Sequence, residues 1–278
     1  MALTTAQTRV AFLALHLPEA EGFVLAGGGA MLAHGLVDRP TPDLDLFSAD
    51  AAALPPLAAA LTRALDAAGM TVTSGHTAPG YQQLTVAVGD ETVLVELAND
   101  VRMWPAKILA VGSVLSIEEL AADKTLALFG RAEPRDLVDV AALAATLGAD
   151  RLLEFASAKD AGFDQAVLGD AVRFATAQPD SRFTSLGLTP AGLTALRRWA
   201  QSWHQQLIRA SPDAAQAPDV RAASAVQQAA QAYPTPLRAL PTPPRRDPSR
   251  RRGGCRPHLP AAVAGGTDTP SVGVPKPS

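Results

Sequence analysis

Residues 23–47 read FVLAGGGAMLAHGLVDRPTPDLDLF, with a run of three glycines near one end and an alternating acidic pair near the other. A short apolar segment, 23–26, predicts a strand that runs into Gly27-Gly28-Gly29 and then a helix over 30–35. Farther on, Asp43 and Asp45 alternate with Leu44 and Leu46, which predicts a second strand over 44–47. Strand side chains repeat every second residue, so both carboxylates share one face and both leucines point to the core. Glycines after a buried strand let the backbone approach a bulky anion, with the amides of the next helix behind it. An ordinary tight turn uses the same residues. Two adjacent carboxylates repel unless a cation neutralises them or one is protonated. An all-oxygen donor set favours Mg²⁺ or Mn²⁺ over zinc. The alternative is a solvent-facing pair of acids at the start of a strand.

Working outward, residues 5–17 and 51–68 have helical patterning. Strands are predicted over 70–73, 83–88 and 92–97, the last two joined by a hairpin turn at Gly89-Asp90. After Ser116 the pattern is helical as far as about residue 210, and no internal repeat is present. The fold class is α+β: a mixed-sheet core over 1–112, a helical domain over 113–210 and a low-complexity tail over 211–278.

Three further positions extend the constellation. Glu96 lies on an otherwise apolar strand, where a carboxylate needs a partner; a metal ion is one, an edge hydrogen bond another. Ser116 and Glu119 have capping-box spacing, so a helix starts there and carries Lys124 in the middle of an apolar stripe. Such a lysine either snorkels to solvent or projects towards a charged ligand. Pro134 suits a first helical turn, which sets Asp136 on the inward stripe of Val140, Leu143 and Leu147. Asp139, one turn on, is left without an assigned role. His34, His76 and His204 read as isolated residues rather than ligands.

Composition removes several classes. Among 278 residues, 47% hydrophobic, no apolar run reaches the roughly 18 residues of a membrane span. The first residues lack a basic n-region and a cleavage site, so they read as mature protein. A single cysteine, Cys255, excludes a disulfide framework and a cysteine-based zinc cluster, and a reducing cytoplasm fits. Charge is divided unevenly: 236–278 carry a net +6, leaving about −9 for 1–235. An acidic body binds phosphate only where metal ions or local basic groups reverse its field. The Pro- and Arg-rich segment from about Tyr233 predicts disorder, either as a solvated basic tail or as a nucleic-acid contact.

A glycine loop, an Asp-x-Asp strand, a third acid, an inward lysine and an inward helical aspartate suit nucleotidyl transfer. In LAGGGAMLAHGLVDRPTPDLDLF, VLVEL and ELAADKTLALFGRAEPRDLVDVAAL, spanning about 23–145, the chain resembles the AbiEii/AbiGii nucleotidyltransferase toxins. These are a branch of the DNA polymerase β-like nucleotidyltransferases. The resemblance implies a nucleotidyltransferase fold and a metal-dependent toxin of a bacterial toxin–antitoxin or abortive-infection system. It implies a nucleoside triphosphate as substrate, Mg²⁺ (or Mn²⁺) as cofactor, RNA (the tRNA 3′ end) as acceptor and a cognate antitoxin as partner. Asp43 and Asp45 would ligate metal, with Glu96 as third acid. Gly27, Gly28, Gly29, Arg39 and Lys124 would bind the nucleotide, and Asp136 would be an active-site acid. The family commonly has Ser or Thr at the place of Gly29, so here a phosphate-contacting hydroxyl is missing. Two other readings stay open: transfer to a small molecule such as an aminoglycoside, and a non-catalytic nucleotide-binding protein.

Overall fold

The computed structural model describes residues 2–210, all inside one compact unit, Met1–Pro234. The expectations for 211–278, including Cys255 and the arginine-rich segment, lie outside the described residues.

One mixed seven-stranded sheet organises the first half. Its strands are β1 Val24–Leu25, β2 Asp43–Ser48, β3 Thr71–Ala78, β4 Tyr81–Val88, β5 Glu91–Asn99, β6 Lys107–Leu109 and β7 Gly112–Val114. Their order is β3-β4-β5-β2-β1-β7-β6. β2 is parallel to β5 and β1 to β7, and the remaining neighbours are antiparallel. Helices α1 Thr5–Leu15 and α3 Leu54–Ala67 pack on the sheet, with α2 Gly27–Ala33 beside β2. The period of two is visible in β2, where Leu44, Leu46 and Ser48 are buried while Asp43, Asp45 and Phe47 stay partly exposed.

Several boundaries move from their predicted places. The helix expected from residue 30 begins at Gly27, because the strand ends directly into it. β3 runs on to Ala78, well past residue 73; its polar half pairs with β4 through Ala78 and Tyr81 and shows no apolar period. The hairpin at Gly89 forms as expected, with φ +60° at the glycine and Val88 paired to Glu91. β6 and β7 carry three residues each, too few for a period to register.

Beyond β7 every described element is helical: α4 Ile117–Arg131, α5 Pro134–Leu147, α6 Ala149–Lys159, α7 Gln165–Thr176, α8 Asp180–Thr184 and α9 Pro190–Ala210. Among the described residues no helix is long and apolar enough to cross a membrane. Ser116 caps α4 by accepting from the Glu119 amide at 3.2 Å. Glu119 does not complete the capping box. Its fully buried carboxylate instead accepts from the Met103 and Trp104 amides at 2.8 and 2.7 Å and from Lys159 Nζ at 2.7 Å. Lys159 also pairs with Asp100 at 3.3 Å and with Asp123, so one ammonium ties the end of β5 to α4 and α6.

Candidate active site

The site starts where β1 meets α2. Gly27 takes a left-handed backbone, φ +55°, and a Cβ there would overlap the Asp45 carboxylate. A Cβ on Gly28 would overlap the Thr41 hydroxyl and stand 3.5 Å from Arg39 Nη2. These two glycines therefore let the backbone lie directly against the Asp45 carboxylate, the Thr41 hydroxyl and the Arg39 guanidinium. Gly29 is placed differently. Its missing side chain faces Leu25 and Leu44 at 3.0 to 3.6 Å, so a hydroxyl there would meet apolar core. Close packing of α2 on the strands, rather than ligand contact, accounts for this glycine.

Asp43 and Asp45 share one face of β2, as their spacing requires. Asp43 accepts from Thr41 Oγ1 at 2.8 Å, and Gln7 of α1 donates to the Thr41 carbonyl at 2.8 Å, which fixes the approach to the strand. Parallel pairing with β5 sets Asp45 opposite Glu96. Glu96 is engaged by Gln83 Nε2 at 3.3 Å. Burial, followed by repulsion from Asp43, pushes the Asp45 carboxyl up to about 7, with Glu96 adding to the rise and Lys124 and Arg135 opposing it.

The helical half supplies the counter-charges. Asp139 on α5 is fully buried; its Oδ1 accepts from Arg39 Nε at 2.7 Å and its Oδ2 from Arg39 Nη2 at 2.6 Å. Lys124 Nζ, from α4, lies 2.9 Å from the same Oδ2. Burial alone would raise Asp139, but Lys124 and Arg39 outweigh it and hold the carboxyl below its ordinary range. Asp136, also fully buried, accepts two bonds from Arg131 at 2.7 Å each. Ala132 makes this possible: the αL turn at φ 51° ends α4 and folds α5 back so that Arg131 meets Asp136.

The structure thus gathers Gly27, Gly28, Arg39, Asp43, Asp45, Glu96 and Lys124 around one place, and sets Asp136 just behind it in a closed pair. Sequence reasoning missed Arg131 and Thr41 and gave Asp139 no role. The signal for Asp139 was present, since it adjoins Val140 and precedes Leu143 by four residues on the buried face of α5. His34 and His204 bond the carbonyls of Leu115 and Gly169, at 2.7 and 2.9 Å, far from any ligand role.

The donor chemistry suits a hard divalent cation. Asp43 and Asp45 offer oxygens only, and their mutual repulsion is what a cation would relieve. Among the described residues no three His, Cys, Asp or Glu side chains are drawn into one cluster that could hold a metal ion.

The family described as "Nucleotidyl transferase AbiEii toxin, Type IV TA system" matches residues 11–232. No curated protein matches the chain. Among solved structures, JHP933 from Helicobacter pylori is similar at 19% identity and a TM-score of 0.44, covering 73% of this chain and 90% of that one. MenT4, a nucleotidyltransferase toxin from Mycobacterium tuberculosis H37Rv, is similar at 17% identity and a TM-score of 0.43, covering 81% and 90%.

Proposed function

The chain belongs to the AbiEii nucleotidyl transferase toxin family, and from that premise we propose that it transfers a nucleotide from a nucleoside triphosphate to RNA. The acceptor in this reading is the tRNA 3′ end, the setting is the cytoplasm, and a cognate antitoxin neutralises the activity. One observation carries the reading: of two acids on one strand face, Asp45 lies against the Gly27 backbone, and two buried cations are held by Asp139 beside the same glycines.

Asp43 and Asp45 would hold Mg²⁺, or Mn²⁺, with Glu96 beside them. When bound, the ion supplies charge neutralisation at the triphosphate and at the attacking hydroxyl. The chain's own groups do the rest. The backbone of Gly27 and Gly28 leaves room for phosphate oxygens. Arg39 and Lys124 lower the cost of bringing a polyanion to an acidic protein, the role that charge arithmetic demanded of local basic groups. Asp136 keeps Arg131 at the edge of the site, and the helices over 113–210 complete the walls that the sheet begins. Fixed donors of this kind act by position rather than by covalent chemistry.

The deciding test incubates the protein with each radiolabelled NTP, Mg²⁺ and total bacterial RNA, beside an Asp45→Asn control. Label entering small RNA with the wild type alone is the expected result. Absence of label in RNA, with nucleotide still bound, would move the acceptor to a small molecule such as an aminoglycoside, a reading that the acidic body favours.

A further inference from the structure

Asp139 has no free lone pair that points out of the protein. Its side chain is fully buried, both oxygens carry charge-assisted bonds, and three donors share them. A general base needs an oxygen within reach of the attacking hydroxyl, which this carboxylate does not offer.

The three bonds are not equivalent. Arg39 grips both oxygens with its planar fork, at 2.7 and 2.6 Å. Lys124 makes one contact, at 2.9 Å, to an oxygen already taken by Arg39. A fork matched to a carboxylate is the more directional and better held partner, and a compact ammonium on a flexible stem is the one that can leave. Departure of Lys124 would leave Asp139 still paired to Arg39, so no bare buried charge results. Arg39 Nη2 backs onto Gly28, and Lys124 shares Asp139 Oδ2 with that same guanidinium nitrogen, so both cations border the glycine cradle.

We propose that Asp139 is a positioning residue: anchored by Arg39, it parks Lys124 beside the glycine cradle and releases the ammonium to an incoming triphosphate. The proposal rests on the nucleotidyl-transfer reading above and adds to it the residue that prepares the phosphate site.

A double-mutant cycle tests it. Binding of MgATP, MgGTP, MgCTP and MgUTP is measured by calorimetry on the wild type, Lys124→Met, Asp139→Asn and the double variant, with thermal melting as the fold control. Lys124→Met is expected to weaken the best-bound triphosphate at least tenfold and Asp139→Asn several-fold. The double variant should then lose less affinity than the two single losses combined, because part of what Asp139 does is exerted through Lys124. In transfer assays Asp139→Asn should raise KM more than it lowers kcat and leave the pH profile unchanged, with Asp139→Glu recovering part of the KM.

Additive losses in the double variant, or a fall in kcat at constant KM with one limb of the pH profile missing, overturn the proposal. Where Asp139→Asn does not fold, Asp139→Glu, which keeps the charge that pairs with Arg39, takes its place in the cycle and the same additivity decides. A folded wild type that binds none of the four nucleotides overturns the transfer reading and this proposal together. Binding without transfer to RNA overturns the acceptor alone, and the cycle is then read from binding.

Discussion

Asp45 shows how one side chain can be both costly and useful. Packed against the Gly27 backbone and facing Asp43 and Glu96, its carboxyl is pushed up from 3.8 to about 7. A folded-state value above the unfolded one means that the stabilising contribution is complete below about pH 4 and is lost as pH rises through 7. Replacing Asp45 by Asn should therefore raise the melting temperature of metal-free protein at pH 8. On the proposed reading Mg²⁺ should raise the melting temperature of the wild type and EDTA should reverse the gain, and the same variant should show neither effect. A variant that melted lower than wild type in EDTA, yet still responded to Mg²⁺, would contradict both the repulsion and the ligand role. Asp136 is the opposite case, a buried acid fully satisfied by Arg131. Asp136→Ala leaves the guanidinium without its partner and should cost about 3 kcal/mol in urea unfolding. A loss under 1 kcal/mol would mean that Arg131 finds another partner.

At the scale of elements, α4 joins the two halves of the chemistry. Its start is fixed by Ser116, its middle presents Lys124 to Asp139, and its αL end at Ala132 delivers Arg131 to Asp136. Ser116→Ala should cost about 1 kcal/mol, the usual worth of a hydroxyl N-cap, and no more. Glu119 would still be held by Lys159 and two backbone amides, so a larger loss would mean that the cap and the ionic pin are one unit. The β2–β5 pairing does comparable work in the sheet. Parallel register sets Asp45 across from Glu96, and a slip by one residue would exchange both acids for apolar neighbours.

Across the whole molecule, the acids around Lys159 set a pH response distinct from that of the site. Asp123 is pushed up to about 7, first by burial and then by Asp100 and Glu119 working against Lys159, and its Oδ2 has no partner. Raised above the unfolded value of 3.8, it contributes stability below about pH 4 that is lost as pH climbs to 7. Asp123→Asn should flatten this loss, so its melting temperature relative to wild type rises steadily between pH 4 and 8. A difference independent of pH would show that Asp123 keeps its proton, or its charge, throughout. Asp139 works in the other direction. Held low by Lys124 and Arg39, it withdraws stability on acidification, so the molecule loses different supports at the two ends of the range.

The residues of the site were legible wherever a short period or a fixed spacing exposed them. Asp43 and Asp45 follow from strand alternation, Lys124 from its place in an apolar stripe, Asp136 from a proline-led helix start, and the hairpin at Gly89 from turn chemistry. Local patterning alone was enough for the longer strands of the sheet, the helical character beyond Ser116, the face each acid takes on its own element, and the family pattern. Which charges meet was settled by the packing of distant elements. Arg39 and Asp139 are 100 residues apart, and no local period reports that a turn before β2 and the second turn of α5 converge. The same holds for Lys159, which finds Asp100 and Glu119 across 59 and 40 residues, and for Gly29, whose reason lies in the leucines of two strands. Local sequence fixes backbone angles and the inward face of each element, because those depend on near neighbours. Ion pairing in a buried site depends on which elements pack together, and burial of the whole core settles that.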